Sequence, residues 1–146
     1  MKKALALVLV LCIAFGALTA CAAKETAVEG EKTYKVAMIC DSSISDGGWG
    51  AACYNGMTAA AATRGWETAY TDSIEQSAYA DTMISYCDAG YDMIFAPGNQ
   101  YSDAVKQVAA DYPDVCFAVL NGSTELPTDN IMSMLPNADQ IGSIAG

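Results

Sequence analysis

The sequence predicts an α/β fold built on a parallel sheet, and two observations predict it. Strand-like apolar runs alternate with helical stripes at intervals of roughly 20 to 30 residues, the rhythm of βαβ units. The first of them, "YKVAMIC" (34–40), is almost continuously apolar, as a strand buried on both faces must be. Such units cross over right-handedly and place helices on both faces of the sheet.

The elements follow in order. "YKVAMIC" (34–40) predicts the first strand. Residues 47–64 are alanine-rich and set Trp49, Cys53, Met57, Ala60 and Ala61 at helical spacing. "WETAYT" (66–71) predicts a second strand. "SIEQ" (73–76) has capping-box spacing and predicts the start of a second helix, with Gly90 as its stop. "YDMIFAP" (91–97) predicts a third strand. Tyr101, Ala104, Val105, Val108 and Tyr112 mark a third helix that Pro113 ends. "VCFAVLN" (115–121) predicts a fourth strand and "NIMSML" (130–135) a shorter fifth. "NADQIGSIAG" (137–146) reads as the opening turns of a further helix, the expectation for one lobe of something longer.

The first 20 residues are expected to be removed rather than folded. "MKK" is a basic start, and "ALALVLVLCIAFGA" is too short an apolar stretch for a spanning helix. "LTAC" (18–21) then resembles a bacterial lipobox, which makes Cys21 the expected lipid-attachment residue. Residues 21–33 read as a flexible tether and 34–146 as a partial lobe. A protein so anchored works at the outer face of the membrane.

Composition narrows the function. The chain has no histidine, which removes the commonest general base. Its formal net charge is −10, and removing Lys2 and Lys3 leaves five bases against 17 acids, or −12. Such a surface repels nucleic acid. Cys40, Cys53, Cys87 and Cys116 remain after Cys12 leaves and Cys21 takes lipid. No C-x-x-C pair occurs, so zinc-ribbon and thioredoxin-type sites are unsupported. Each of the four lies in an apolar stripe, as buried thiols do. An oxidising compartment leaves a disulfide open as the alternative.

In an open parallel sheet, ligands bind beyond the carboxyl ends of the strands, where strand order switches. Three loops qualify. "CDSSISDGGWG" (40–50) carries Asp41, Asp46 and Trp49. "PGNQYS" (97–102) carries Asn99, Gln100 and Tyr101, and "NGST" (121–124) carries Asn121. Two acids at a helix entry disfavour phosphate, and neither the P-loop lysine nor G-x-G-x-x-G spacing is present. Acceptors, amides and aromatic faces suit an uncharged flat ligand. Bases stack on aromatic rings for about 1–3 kcal/mol each, and sugars stack on tryptophan too. Simpler roles stand beside these: Trp49 as a first-turn core residue, Asp46 or Asn99 as a helix cap, Tyr101 as packing, Asn121-Gly122 as an ordinary turn. No acid–base pair supports catalysis, and no metal or cofactor is expected.

Together these residues resemble the basic membrane protein family, also called PnrA-like, the substrate-binding lipoproteins of ABC transporters. The most specific parts are "DGGW" opening a helix that contains "YNGM", then "DAGYDMIFAPG" and "DYPDVCFAVLNG". The resemblance implies a type I periplasmic-binding-protein fold of two Rossmann-like lobes, of which this chain covers most of the first. It implies a purine nucleoside as ligand, a permease and an ATPase as partners, and no chemical step. Asp41 matches an aspartate after the first strand, Trp49 a stacking aromatic, and Asp46 the acid before it. Where the family commonly has Ser-Phe-Asn, this chain has Gly48-Trp49-Gly50, so that asparagine amide is absent. A family aromatic is replaced by Asn99 and a family acid by Asn121. A sensing lipoprotein on the same fold, or a binder of a sugar or amino acid, is the alternative.

Overall fold

The computed structural model describes residues 32–122 and 126–135. Contacts separate residues 1–32 from 33–146, and the fold belongs to the second unit. Five strands form one sheet: β1 (Lys35–Ile39), β2 (Glu67–Thr71), β3 (Met93–Ala96), β4 (Cys116–Leu120) and β5 (Ile131–Met134). Among the described residues three α-helices accompany them: α1 (Trp49–Ala62), α2 (Tyr79–Asp88) and α3 (Ser102–Ala109). Every strand pairing is parallel, and the order is β2-β1-β3-β4-β5. The α/β class and the five strands expected from the apolar runs are thus present. The anchor residue Cys21 and the helix expected from Asn137 lie outside the described residues.

The strand order places a switch at β1. The chain leaves β1 for β2 on one side, then crosses back to β3 on the other. The loops after β1 and β3 therefore depart toward opposite faces and leave a crevice between them.

Strand alternation decides which residues reach which face. Ala37, Ile39, Ile94, Phe117, Val119 and Ile131 join Tyr79, Met83 and Cys87 of α2 and Val105, Val108 and Ala109 of α3 in one continuous core. Those α2 positions are four residues apart, one face of a helix. Val36, Met38 and Cys40 point the other way, to Met57 of α1. Past α1, that second face bears a groove of about 340 Å³ lined by Phe95, Ala118, Leu120, Met132 and Met134 among others. β2 is one edge of the sheet, opposite β5, and is mostly exposed.

Two helix starts differ from expectation. Residues 73–76 do not form a capping box. The Ile74 N–H instead donates to the Cys40 carbonyl at 3.2 Å, holding Ser73 left-handed at φ 55°. The chain then makes a 3-10 turn (Gln76–Ala78), and the α-helix begins only at Tyr79. Nor does Asp46 cap α1, whose N-cap is Gly48 with no side-chain bond. The Asp46 Oδ1 accepts from the Gly48 N–H at 2.7 Å, an Asx turn one step ahead of the helix.

All four cysteines within the described residues are free thiols. Burial pushes the Cys53 and Cys116 thiols up, and pushes Cys87 to about 11 with help from neighbouring Asp88. They stay protonated at neutral pH and pack as small apolar side chains.

Candidate functional site

The β1–α1 loop is held from several sides. At its start, the Asp41 N–H donates to the Tyr101 hydroxyl at 2.7 Å. Midway, the Ile44 N–H donates to the Asp72 Oδ2 at 2.9 Å. At its end, Gly50 lies buried in the first turn of α1, where a Cβ would stand 2.7 Å from the Ser42 hydroxyl and 3.1 Å from the Cys40 sulfur. Only a residue without a side chain lets the helix start so close to the strand it follows.

That placement sets Trp49 at the rim. The ring is 52% exposed, so it is not a core residue, although Cys53 and Met57 on the same stripe are partly or fully buried. Its Nε1–H donates to the Pro97 carbonyl at 2.6 Å, which ties the indole to the loop after β3. A ring pinned by its one polar atom keeps a face free at little further entropic cost.

Trp49, Pro97, Gly98, Asn99, Gln100 and Asn121 line an open cleft of about 470 Å³. All three loops contribute, at the edge where the topology places the crevice. Asn99 sits in a 3-10 turn (Asn99–Tyr101) that precedes α3, and Gly98 rather than Asn99 is the residue before that turn. Asn121 is left-handed at φ 57°, a conformation asparagine tolerates, and its N–H donates to the Met134 carbonyl at 2.8 Å. It is a turn residue and a cleft residue at once.

The other expected residues sit differently. Tyr101, expected to meet the ligand, is 0% exposed and lies in the core beneath the cleft. Its ring packs on Tyr79 with centroids 4.5 Å apart, and burial pushes its phenol far up. It therefore stays neutral and acts on the site through the Asp41 backbone. Asp41 is exposed but does not line the cleft. Its Oδ2 accepts from the Gln100 Nε2 at 3.1 Å and from the Tyr79 hydroxyl at 3.4 Å. Burial, then the Asp41 carboxylate, raises the Tyr79 pKa, which keeps that hydroxyl a donor. Asp46 is exposed, with one oxygen engaged in its own turn.

Sequence reasoning missed three parts. The Pro97 carbonyl carries no residue-type signal. Tyr79 reads as an ordinary helical core position. Gln100 stands within a flagged loop, but only the fold brings it to Asp41. Among the described residues, no cluster of His, Cys, Asp or Glu has the makings of a metal site. The cleft offers a stacking face, amides and backbone edges. That equipment suits holding and orienting a ligand.

A family model described as Bmp, ABC transporter substrate-binding protein PnrA-like, matches residues 33–146. The chain belongs to that family. "Transcriptional activator protein med" of Bacillus subtilis (strain 168) is 23% identical over 116 residues, covering 79% of this chain and 36% of that protein. "Putative ABC transporter glucose-binding protein TsgA13" of Haloferax volcanii is 34% identical over 95 residues, covering 64% of this chain and 24% of that one. The chain thus spans about a third or less of the curated relatives it matches.

Among solved structures, an ABC transporter solute-binding protein from Aeropyrum pernix K1 superposes with a TM-score of 0.65 at 20% identity. The match covers 77% of this chain and 31% of that one. One from Conexibacter woesei superposes at 0.64 and 20%, over 70% of this chain and 35% of its own. A transcriptional activator of the comK gene from Bacillus halodurans gives 0.58 at 22%, over 68% and 33%. These likenesses are of fold.

Proposed function

We propose that this chain is the ligand-binding first lobe of a lipid-anchored solute-binding protein that serves an ABC importer, and that its solute is a purine nucleoside or a related uncharged heterocycle. The observation that carries the proposal is Trp49: half-exposed, pinned through Nε1 to Pro97, and placed in the switch-point cleft. Asn99 and Asn121 bring polar edges to the same space, and Asp41 bonds to Gln100, another residue of its lining. Family membership supports the substrate-binding role and, with it, a site of action outside the cytoplasm. Among the described residues no helix is long and apolar enough to cross a membrane. The lipobox-like "LTAC" supports anchoring through Cys21.

Tryptophan fluorescence tests the reading. Adenosine, guanosine and inosine are titrated, with ribose, glucose and amino acids as controls. Saturable quenching by nucleosides alone is expected. Trp49→Ala should weaken binding at least tenfold, about 1.4 kcal/mol. A response to sugars alone would keep the fold and replace the ligand class. Metabolic labelling with palmitate, lost in Cys21→Ser, tests the anchor.

A sensing role is the second reading, favoured by the two relatives named as transcriptional activators. Nucleoside uptake by cells lacking the gene separates the two. Reduced uptake supports import; unchanged uptake with altered transcription supports sensing.

A further inference from the structure

Residues 100 and 101 grip Asp41 in two ways. The buried Tyr101 hydroxyl accepts from the Asp41 backbone N–H at 2.7 Å. Its neighbour Gln100 donates from Nε2 to the Asp41 Oδ2 at 3.1 Å. The NH₂ end of the Gln100 amide therefore faces Asp41. The oxygen end is then turned away from it.

Gly98 shows where that oxygen goes. A Cβ at position 98 would collide with the Gln100 Oε1 and with its amide carbon and nitrogen. The Gly98 backbone is extended at φ 175°, a conformation open to any residue. Glycine stands there for space, to let the carboxamide fold back across it. Gly98 and Gln100 both line the cleft that holds the Trp49 ring.

We propose that Gln100 is the specificity-determining residue of this cleft: oriented by Asp41 and seated over Gly98, it presents Oε1 as an acceptor to an N–H on the edge of a heterocycle stacked on Trp49. This rests on the stacking reading given above. Asp41 is then a positioning residue, acting on the ligand through the Gln100 amide. The solute class is a planar ring with an N–H at its edge, such as the N1–H of a 6-oxopurine.

Isothermal titration of the full chain tests this with inosine and 1-methylinosine, which differ in that N–H. The native chain should bind inosine at least tenfold more tightly. In Gln100→Ala that ratio should fall to near one, through loss of inosine binding with 1-methylinosine little changed. Gly98→Ala should do the same without touching the amide's chemistry, because its Cβ displaces the amide. Asp41→Asn, whose amide tolerates either orientation of Gln100, should lower the ratio by a smaller factor. A loss of fold would weaken both ligands together and leave the ratio where it was. Retention of the full ratio in Gln100→Ala, with binding still sensitive to Trp49→Ala, would overturn the role of Gln100 alone. Equal binding of the two nucleosides by the native chain would overturn the N–H claim. Absence of nucleoside binding by the native chain would overturn the stacking reading and this inference with it.

Discussion

On one face of the sheet, α2 and α3 bury a continuous layer that runs from Ala37 on β1 to Ile131 on β5. On the other, α1 covers β1 and its neighbours, and the buried set is Val36, Met38, Cys40 and Met57 beside an apolar groove. The same strands supply both faces. The difference lies in how many helices the described residues bring to each. It teaches that cohesion is concentrated on the α2/α3 side. The candidate site draws on that side as well, since Tyr101 and Tyr79 hold Asp41 from within the thick core. The β1–α1 loop, on the thinner side, supplies the exposed ring.

Truncation in the thick core should show the contrast most strongly. Phe117→Ala removes a fully buried ring and should cost about 3–5 kcal/mol, read from urea midpoints. Met57→Ala, at the border of the groove, should cost about 2 kcal/mol, the low end for such a change. A cost for Met57→Ala equal to that for Phe117→Ala would break the comparison.

Asn130 offers a subtler probe of the thick side. Its Nδ2 lies 3.0 Å from the carbonyls of Ala109, Tyr112 and Val115, joining the end of α3 to the approach to β4. Asn130→Ala should cost about 1–2 kcal/mol by leaving those carbonyls short of a donor. The Cys87 thiol makes stability depend on pH. It titrates at about 11 in the fold against 9.0 ordinarily, so between those values the unfolded chain has lost a proton that the fold retains. Stability present below pH 9 should therefore fall as pH rises toward 11. Comparing urea midpoints at pH 8 and 10.5 in the native chain and Cys87→Ala isolates that part. The smallest effect is expected at the rim: Trp49→Ala should change stability by under about 0.5 kcal/mol, while its binding loss is large.

Much of the fold was legible because the central strands are apolar on both faces, while β2, mostly exposed at one edge, was legible by its place in the strand–helix alternation. Each predicted run holds a strand, and Val105 and Val108 mark the buried stripe of α3 as their spacing implies, with Tyr101 buried in the 3-10 turn just before it. The capping-box reading of residues 73–76 failed because a local motif competed with a tertiary bond, from Ile74 to Cys40, and lost. The site was legible by loop and not by atom. Asn99, Asn121 and Trp49 reach the cleft, whereas Tyr101 lies beneath it and Asp41 behind Gln100.

The sequence by itself determined the class of fold, the positions of the strands and the three loops that meet at one edge. Periodicity and local turn chemistry act over a few residues, so a single chain displays them openly. Only the tertiary structure decided which side chains face the cleft. Residues 41 and 100, or 49 and 97, meet because β1 and β3 become neighbours after a crossover through β2. Contacts between parts of the chain so far apart depend on strand order and register, which no stretch of sequence carries alone.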